Sequence, residues 1–192
     1  MIFMNKIEKI KAVLERNQGY ITTDDFLKLN ICKPMIKKYI EIGLVRKVHH
    51  GLFIDNTLLE DDYFILQKMY PSVVFSHMTA LYLWKLTTDF PVDIDLTVVK
   101  DKKVRGDYKV HHVDSKYYDL GIVSFKSPFD NPIRLYNMER CLCDLFRMKM
   151  DSEKREKIVR HYLNRKDKDI ERLMEYSKVF HLDKIMSKVI EK

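Results

Sequence analysis

Residues 20–54 read YITTDDFLKLNICKPMIKKYIEIGLVRKVHHGLFI, and this stretch decides how the first part of the chain folds. Thr22 or Thr23 can cap a helix that runs to Leu29, because a hydroxyl oxygen there accepts a hydrogen bond from an otherwise unpaired backbone N–H. Upstream, apolar residues recur at helical spacing over 5–16, with lysine and glutamate between them. The pattern therefore predicts an amphipathic helix, a short apolar step and a second helix.

A third helix and a hairpin follow in the same stretch. The helix is predicted to begin at Lys33-Pro34, since proline is tolerated in a first turn, and to end at Ile42-Gly43, where glycine is a common C-terminal cap. Residues 44–48 and 52–54 are predicted to form two short strands joined by the turn at 49–51. Three helices followed by a hairpin are typical of a winged helix-turn-helix domain.

In a winged helix-turn-helix domain, the third helix enters the major groove of DNA and the hairpin rests on the adjacent backbone. Phosphate groups attract cations and polar turn residues, so the candidate DNA-contacting residues are Thr22, Thr23, Lys33, Lys37, Lys38, Arg46, Lys47, His49 and His50. The third helix offers no asparagine, glutamine or arginine for bidentate contacts to bases. A winged helix that binds another protein therefore stays open as an alternative.

The charge of the 192-residue chain is unevenly distributed. The net charge is +7, with 10 Lys/Arg against 6 Asp/Glu in residues 1–55, equal numbers in 56–150, and 12 against 9 in 151–192. Two basic ends around a neutral middle indicate a polyanionic partner. The apolar runs are too short for a membrane span or a signal peptide. Because the three cysteines (Cys32, Cys141, Cys143) are odd in number, we expect them to be reduced core residues in the cytoplasm.

The middle of the chain predicts an α+β domain with a small sheet. Its clearest strand is 92–99, where apolar and polar residues alternate strictly. Further strands are predicted at 109–113, 121–125 and 133–136, with helices at 61–69, at 77–86 capped by Ser76, and at 138–148 capped by Asn137.

Asp93 and Asp95 lie two residues apart on the clearest strand and therefore face the same side, as two carboxylates holding a divalent metal would. Nucleotidyltransferases use such a pair, but Phe75-Ser76-His77 lacks the glycine that lets a backbone approach phosphate. We therefore expect both aspartates on the solvated face of an edge strand, with no catalytic residue, no metal and no cofactor. His111 and His112 are adjacent, so we expect one to point in and one out, rather than a metal pair.

Four stretches of the sequence resemble the AbiEi antitoxin family of type IV toxin–antitoxin systems. They are IGLVRKVHHGLFID (42–55), VVFSHMTALYLWKLTTDFP (73–91), VDIDLTVV (92–99) and IRLYNMERCLCDLFRMK (133–149). Each is a pattern at the level of the fold, and their order and spacing carry the resemblance, which with the predicted winged helix covers most of residues 5–150.

The resemblance implies an antitoxin that acts in abortive infection and phage resistance. It implies that the N-terminal domain represses its own operon by binding inverted repeats in the promoter. It also implies that the C-terminal domain resembles a nucleotidyltransferase fold without its catalytic residues and counteracts a cognate nucleotidyltransferase toxin, with direct contact left open. The partners are therefore double-stranded DNA and that toxin, with no membrane. We expect a monomer or weak dimer in solution, and cooperative binding to DNA stays open.

The tail, residues 151–192, matches the family only loosely. It predicts a helix capped by Ser152, a second helix from Asp169 to Phe180 and a last short helix. A possible second basic surface consists of Arg155, Arg160, Arg165, Lys166, Lys168 and Arg172. Two interpretations of the tail stay open. Its helices are solvated and close the core of the preceding domain, or they form a cationic surface for DNA, RNA or the toxin's RNA substrate.

The sequence thus predicts a cytoplasmic α+β protein of two domains. A winged helix-turn-helix over 1–56 precedes an α+β antitoxin domain over 57–192, which has C-terminal helices from about 151. We expect no enzymatic activity. An active, metal-dependent nucleotidyltransferase that uses Asp93 and Asp95 is the alternative.

Overall fold

The computed structural model describes residues 2–191, and the chain divides into two compact units, Met1–Leu66 and Gln67–Lys192. The architecture is mixed α+β with a helical C-terminal part, as predicted. The division falls inside one helix, Asp62–Met69. Among the described residues, no helix is both long and apolar enough to cross a membrane.

The first unit combines helices with a three-stranded antiparallel sheet in the order β1-β3-β2. In the first unit Tyr20 pairs with Ile54, and Val45 pairs with Asp55. The register shifts between Lys47 and His49, so the hairpin carries an irregularity just before its turn. Its elements are α1 (Ile2–Arg16), β1 (Tyr20–Thr22), α2 (Thr23–Lys28), α3 (Lys33–Glu41), β2 (Val45–His49), β3 (Leu52–Asp55) and the start of α4 (Asp62–Met69).

Local signals place α2 and α3 where the sequence predicts them. Thr22 caps α2 in a reciprocal arrangement: its hydroxyl accepts from the backbone N–H of Asp25, whose carboxylate accepts from the backbone N–H of Thr22. Pro34 lies in the first turn of α3, where its missing N–H costs no intrahelical bond. Gly43 follows α3 with a φ of +72°, a left-handed conformation that glycine adopts without strain.

The core of the first unit is formed by one face of each of α1, α2 and α3 and by the inner side of the sheet. Its members include Ile10, Ile21, Phe26, Tyr39 and Phe53. Phe26 contacts Phe53 edge to face, with ring centroids 5.5 Å apart. The prediction that all three cysteines are core residues is wrong for Cys32, which is exposed because it occupies the N-cap position of α3 in the turn after α2.

The second unit is built on a five-stranded sheet in the order β6-β5-β4-β8-β7. β4 pairs antiparallel with β5 and parallel with β8, β5 pairs parallel with β6, and β7 pairs antiparallel with β8. The strands are β4 (Val74–Phe75), β5 (Ile94–Val99), β6 (Tyr108–Val113), β7 (Ile122–Lys126) and β8 (Pro132–Tyr136), with α5 (His77–Leu83) after β4 and the short α6 (Ser115–Tyr118), not predicted from sequence, after β6.

The last part of the second unit is helical, and one helix is almost completely enclosed. Residues 138–145 of α7 are all buried, the charged ones included. Asn137 caps α7 as predicted, accepting from the backbone N–H of Arg140. The predicted cap Ser152 is wrong: Asp151 accepts from the N–H of Lys154, and Ser152 is the first helical residue. The helices are α7 (Met138–Arg147), α8 (Ser152–Leu163), α9 (Ile170–Val179) and α10 (Asp183–Ile190).

Candidate functional site

The outer face of α3 presents lysines to solvent. Ile36 and Tyr39 are buried on the inner face, which turns Lys33, Lys37 and Lys38 outward. The Lys37 side chain is 82% exposed, and its ammonium lies 3.7 Å from the Glu41 carboxylate. An exposed pair of this kind contributes little stability, so it does not hold Lys37 back from another anion.

A groove of about 660 Å³ runs between the start of α2, α3 and the β2–β3 turn. We call it the basic groove. Six of the nine predicted DNA-contacting residues line it: Thr22, Thr23, Lys33, Lys37, Lys47 and His50. The fold therefore brings together, on one concave surface, side chains that are up to 28 positions apart in the sequence.

The two threonines hold the basic groove in shape. The Thr22 side chain is engaged in capping α2. The backbone N–H of Thr23 donates to the Gly51 carbonyl at 2.8 Å, and this bond joins the start of α2 to the hairpin turn. Gly51 has a φ of +73°, which suits glycine at that turn.

Three further predicted residues lie outside the lining of the basic groove. Lys38 and His49 are exposed. Arg46 forms an ion pair with Glu60 and donates to the Leu58 carbonyl at 2.9 Å. Its guanidinium thus ties β2 to the segment after β3, and a phosphate would have to compete with a carboxylate for it.

The basic side chains of the tail have mainly intramolecular partners. Arg165 binds the Asp167 carboxylate with two bonds of 2.8 and 2.7 Å, and donates to the Trp84 carbonyl at 3.1 Å. Lys168 donates to the Leu163 carbonyl at 2.7 Å, near the end of α8. Arg155 donates to two carbonyls of the 148–150 segment, and Arg172 pairs with Asp169 at 3.0 Å. Arg160 and Lys166 are exposed.

The expectation that Asp93 and Asp95 both lie on the solvated face of an edge strand is wrong. β5 is an interior strand between β6 and β4, and Asp95 on it is only 2% exposed. Asp93 precedes the strand and is exposed. The two carboxylates therefore do not form a pair on one solvated strand face. The prediction that one of the adjacent histidines points inward and the other outward is confirmed, because His111 is partly buried and His112 is exposed.

Asp95 belongs to a polar cluster that the sequence pattern did not reveal. His111 Nε2 lies 2.6 Å from the Asp95 carboxylate, and the His77 and His111 rings are stacked with centroids 3.5 Å apart. One donor atom from each of His77, Asp95 and His111 lies within 4.8 Å of the others. We call these three residues the His–Asp cluster. Two imidazoles and one carboxylate at this spacing could hold a metal ion.

Neighbouring hydroxyl groups support the His–Asp cluster. Thr97 donates to the Ser76 hydroxyl at 2.8 Å, and that oxygen shares a 2.9 Å hydrogen bond with His77 Nδ1. The backbone N–H of Asp95 donates to the Thr79 hydroxyl at 2.8 Å. The prediction that the Ser76 side chain caps α5 is therefore wrong, because its oxygen forms hydrogen bonds with Thr97 and His77 instead.

The backbone and protonation of His77 are unusual. Its φ is +48°, a left-handed conformation that costs a residue other than glycine free energy. Burial, and after it the nearby His111 ring, lower the pKa of His77 to about 2, so its ring is neutral at physiological pH. Both histidines line a cleft of about 560 Å³ that Lys109, Arg147 and Lys149 also line.

The comparisons with known proteins show little similarity. No family model matches the sequence, and no curated protein matches it. Among solved structures, the chain is similar to the RV2827C protein from Mycobacterium tuberculosis, with a TM-score of 0.49 and 10% identity over 97% of this chain and 81% of that one. At this level nothing about activity or ligands is transferred.

Proposed function

We propose that the protein is a DNA-binding antitoxin that represses its own promoter through the first unit, while the second unit counteracts a cognate nucleotidyltransferase toxin. The observation that carries DNA binding is the basic groove, together with the exposed lysines on α3. The toxin and the operon enter through the resemblance to the AbiEi family.

The order of elements in the first unit supports this proposal. Helix, strand, helix, helix and hairpin follow one another as in a winged helix-turn-helix, in which the helix corresponding to α3 enters the major groove. Among the described residues, Lys33, Lys38 and Lys47 have neither an ion pair nor a side-chain hydrogen bond. Their ammonium groups are therefore available to phosphates without the loss of an internal contact.

Binding of the lysines to phosphates releases counterions from DNA, and this release supplies most of the affinity. The side chains of α3 that are exposed offer few hydrogen bonds to base edges, so sequence preference would rest on DNA shape in addition. Binding should therefore weaken steeply as the salt concentration rises.

The experiment is a titration of the full chain with the DNA upstream of its own gene, at several salt concentrations. Replacing Lys37 and Lys38 together by alanine is expected to weaken binding at least about tenfold and to reduce the salt slope by about 2, one for each lost phosphate contact. The matched control is Lys9→Ala with Lys11→Ala, two exposed lysines of α1 whose loss changes the net charge equally. Unchanged binding by a folded Lys37/Lys38 variant would exclude α3 from the interface.

The antitoxin activity is tested separately, by co-expression with a nucleotidyltransferase encoded beside this gene. We expect the full chain to restore growth, and the Lys37/Lys38 variant to restore it equally, because the proposal places neutralisation in the second unit. Loss of protection in that variant at equal protein level would contradict the division of roles. No turnover of labelled nucleotide with magnesium is expected, and turnover abolished by Asp95→Ala would establish the enzymatic alternative.

A further inference from the structure

We propose that His77, Asp95 and His111 bind a divalent transition-metal ion of the Zn²⁺ type. This site lies within the second unit, and it is independent of the proposed binding of DNA by the first. The inference concerns binding and assigns no reaction to the metal.

The donor set selects the class of metal. Two imidazole nitrogens and one carboxylate oxygen suit zinc and its first-row neighbours, whereas magnesium and calcium prefer oxygen ligands alone. The donor atoms lie within 4.8 Å of one another, and the ligands of a tetrahedral ion at 2.0–2.2 Å are separated by about 3.3 Å. The side chains must therefore rotate to bring the donor atoms to the spacing of a bound ion.

Hydrogen bonds from neighbouring residues hold the side chains of the His–Asp cluster in place, as they do for the ligands of a bound metal. Metal-binding histidines use one ring nitrogen for the metal and hold the other with a hydrogen bond. Ser76 Oγ accepts such a bond from Nδ1 of His77 in the tautomer that leaves the lone pair on Nε2, and Thr97 holds Ser76 in turn. The backbone bond from Asp95 to Thr79 fixes the strand at the carboxylate.

The two imidazole rings have room to rearrange around a metal ion. The planes of the two stacked rings differ by only 13° and their centroids are 3.5 Å apart, so their lone pairs lie in two nearly parallel planes and the imidazoles must turn to converge on one ion. Both rings line the 560 Å³ cleft, which gives them room to turn.

The opposing feature is Lys109, whose ammonium lies 3.8 Å from the Asp95 carboxylate. Its side chain is 54% exposed and can swing into solvent at little cost when a cation replaces it. The hydrogen bond between His111 and Asp95 is also given up, and metal–ligand bonds to the same two atoms replace it. Replacing Lys109 by methionine should therefore strengthen metal binding.

The test is a calorimetric titration of the full chain with Zn²⁺ alone, in a Cys32→Ser background that removes the exposed thiol. We expect one equivalent to bind, and Asp95→Asn and His111→Ala each to weaken binding about 100-fold or more, since loss of a ligand costs more than loss of an outer partner. His112→Ala is the matched control, because this exposed neighbour lies on the same strand outside the cluster. Equal binding of Zn²⁺ by the parent, the Asp95→Asn variant and the His111→Ala variant would overturn the site.

A second measurement uses the unaltered chain, so its outcome does not depend on whether the variants fold. Co²⁺ added to the unaltered chain should produce visible absorption bands of a low-coordinate nitrogen–oxygen site, and paramagnetic shifts of two histidine rings. Zn²⁺ should also raise the unfolding temperature, because it binds the folded form only. Shifts confined to His49 and His50, or to no histidine ring at all, would refute the assignment.

Discussion

The lysines of α3 and β2 and the basic side chains of the tail, residues 151–192, carry the same charge, but they differ in their neighbours. Lys33, Lys38 and Lys47 extend into solvent from the first unit. In the tail, Arg165 and Arg172 instead pair with carboxylates. Lys168 donates a hydrogen bond to the Leu163 carbonyl at the end of α8. A count of positive charges alone predicts that both regions bind anions. Their contacts differ, because these lysines of the first unit are free to bind a ligand, whereas these basic side chains of the tail stabilise the fold.

Arg140 is the extreme case of a cation that serves the fold. It is 1% exposed, its Nε donates to the Asp144 carboxylate at 3.0 Å, and its Nη1 donates to the carbonyls of Tyr117 and Leu120. The guanidinium also lies over the Tyr136 ring, 4.3 Å from its centroid. One side chain thus joins α7 to α6 and to the segment that follows α6.

The largest expected effect follows from replacing Arg140. Arg140→Met leaves the Asp144 carboxylate buried without its main partner, which should lower the free energy of unfolding by about 3–5 kcal/mol. The measurement is urea unfolding followed by the fluorescence of Trp84, the only tryptophan and a member of the same unit. Arg147→Met is the control: it contacts the same carboxylate from a side chain that is 51% exposed, and should cost less than about 1 kcal/mol.

Arg165 tests directly whether the basic side chains of the tail stabilise the fold or bind DNA. Arg165→Ala removes the bonds to Asp167 and to the Trp84 carbonyl, and should lower the unfolding free energy by about 1 kcal/mol. Because the interactions of Arg165 are internal, its loss should leave affinity for promoter DNA unchanged within about twofold. The neighbouring Lys166→Ala, at an exposed position, should change neither quantity. A tenfold loss of DNA affinity in either variant would show that the tail is a second DNA-binding surface.

The first unit could be predicted because its signals are local. Pro34, Gly43 and the threonine cap each act within a few residues of their own position, and the helices and strands follow from them. The candidate DNA-contacting residues then follow from the choice of which face of α3 is polar. Arg46 is the exception, since its partner Glu60 lies 14 positions away in a segment without a pattern.

The His–Asp cluster could not be predicted, because it depends on pairing between distant strands. Strict alternation places Asp95 and Thr97 on one face of β5, and the pattern alone suggests that this face is solvated. The parallel register of β5 with β6 sets Thr97 opposite His111, and α5 then brings His77 over the same face. Asp95 is therefore enclosed by residues that no periodicity in the sequence connects.

The smallest expected effect concerns the thiols, which report on the two units separately. Cys32 is exposed beside Lys33 at the start of α3, whereas Cys141 and Cys143 are buried in α7. Burial raises the pKa of Cys143 to about 12 and raises that of Cys141 as well, so both stay protonated and unreactive at pH 8. A neutral alkylating reagent should consume one thiol quickly, and the other two only after unfolding.

Promoter DNA then tests which surface it covers. Saturating DNA should slow alkylation of Cys32 about threefold or more if α3 faces the duplex, since the reagent must approach between helix and groove. The protection should disappear at high salt, where the complex dissociates. Cys32→Ser, which should show no fast phase, identifies the thiol. If bound DNA leaves the rate for Cys32 unaltered, α3 lies away from the duplex, and the distinction between an open and an internally paired basic surface loses its functional meaning.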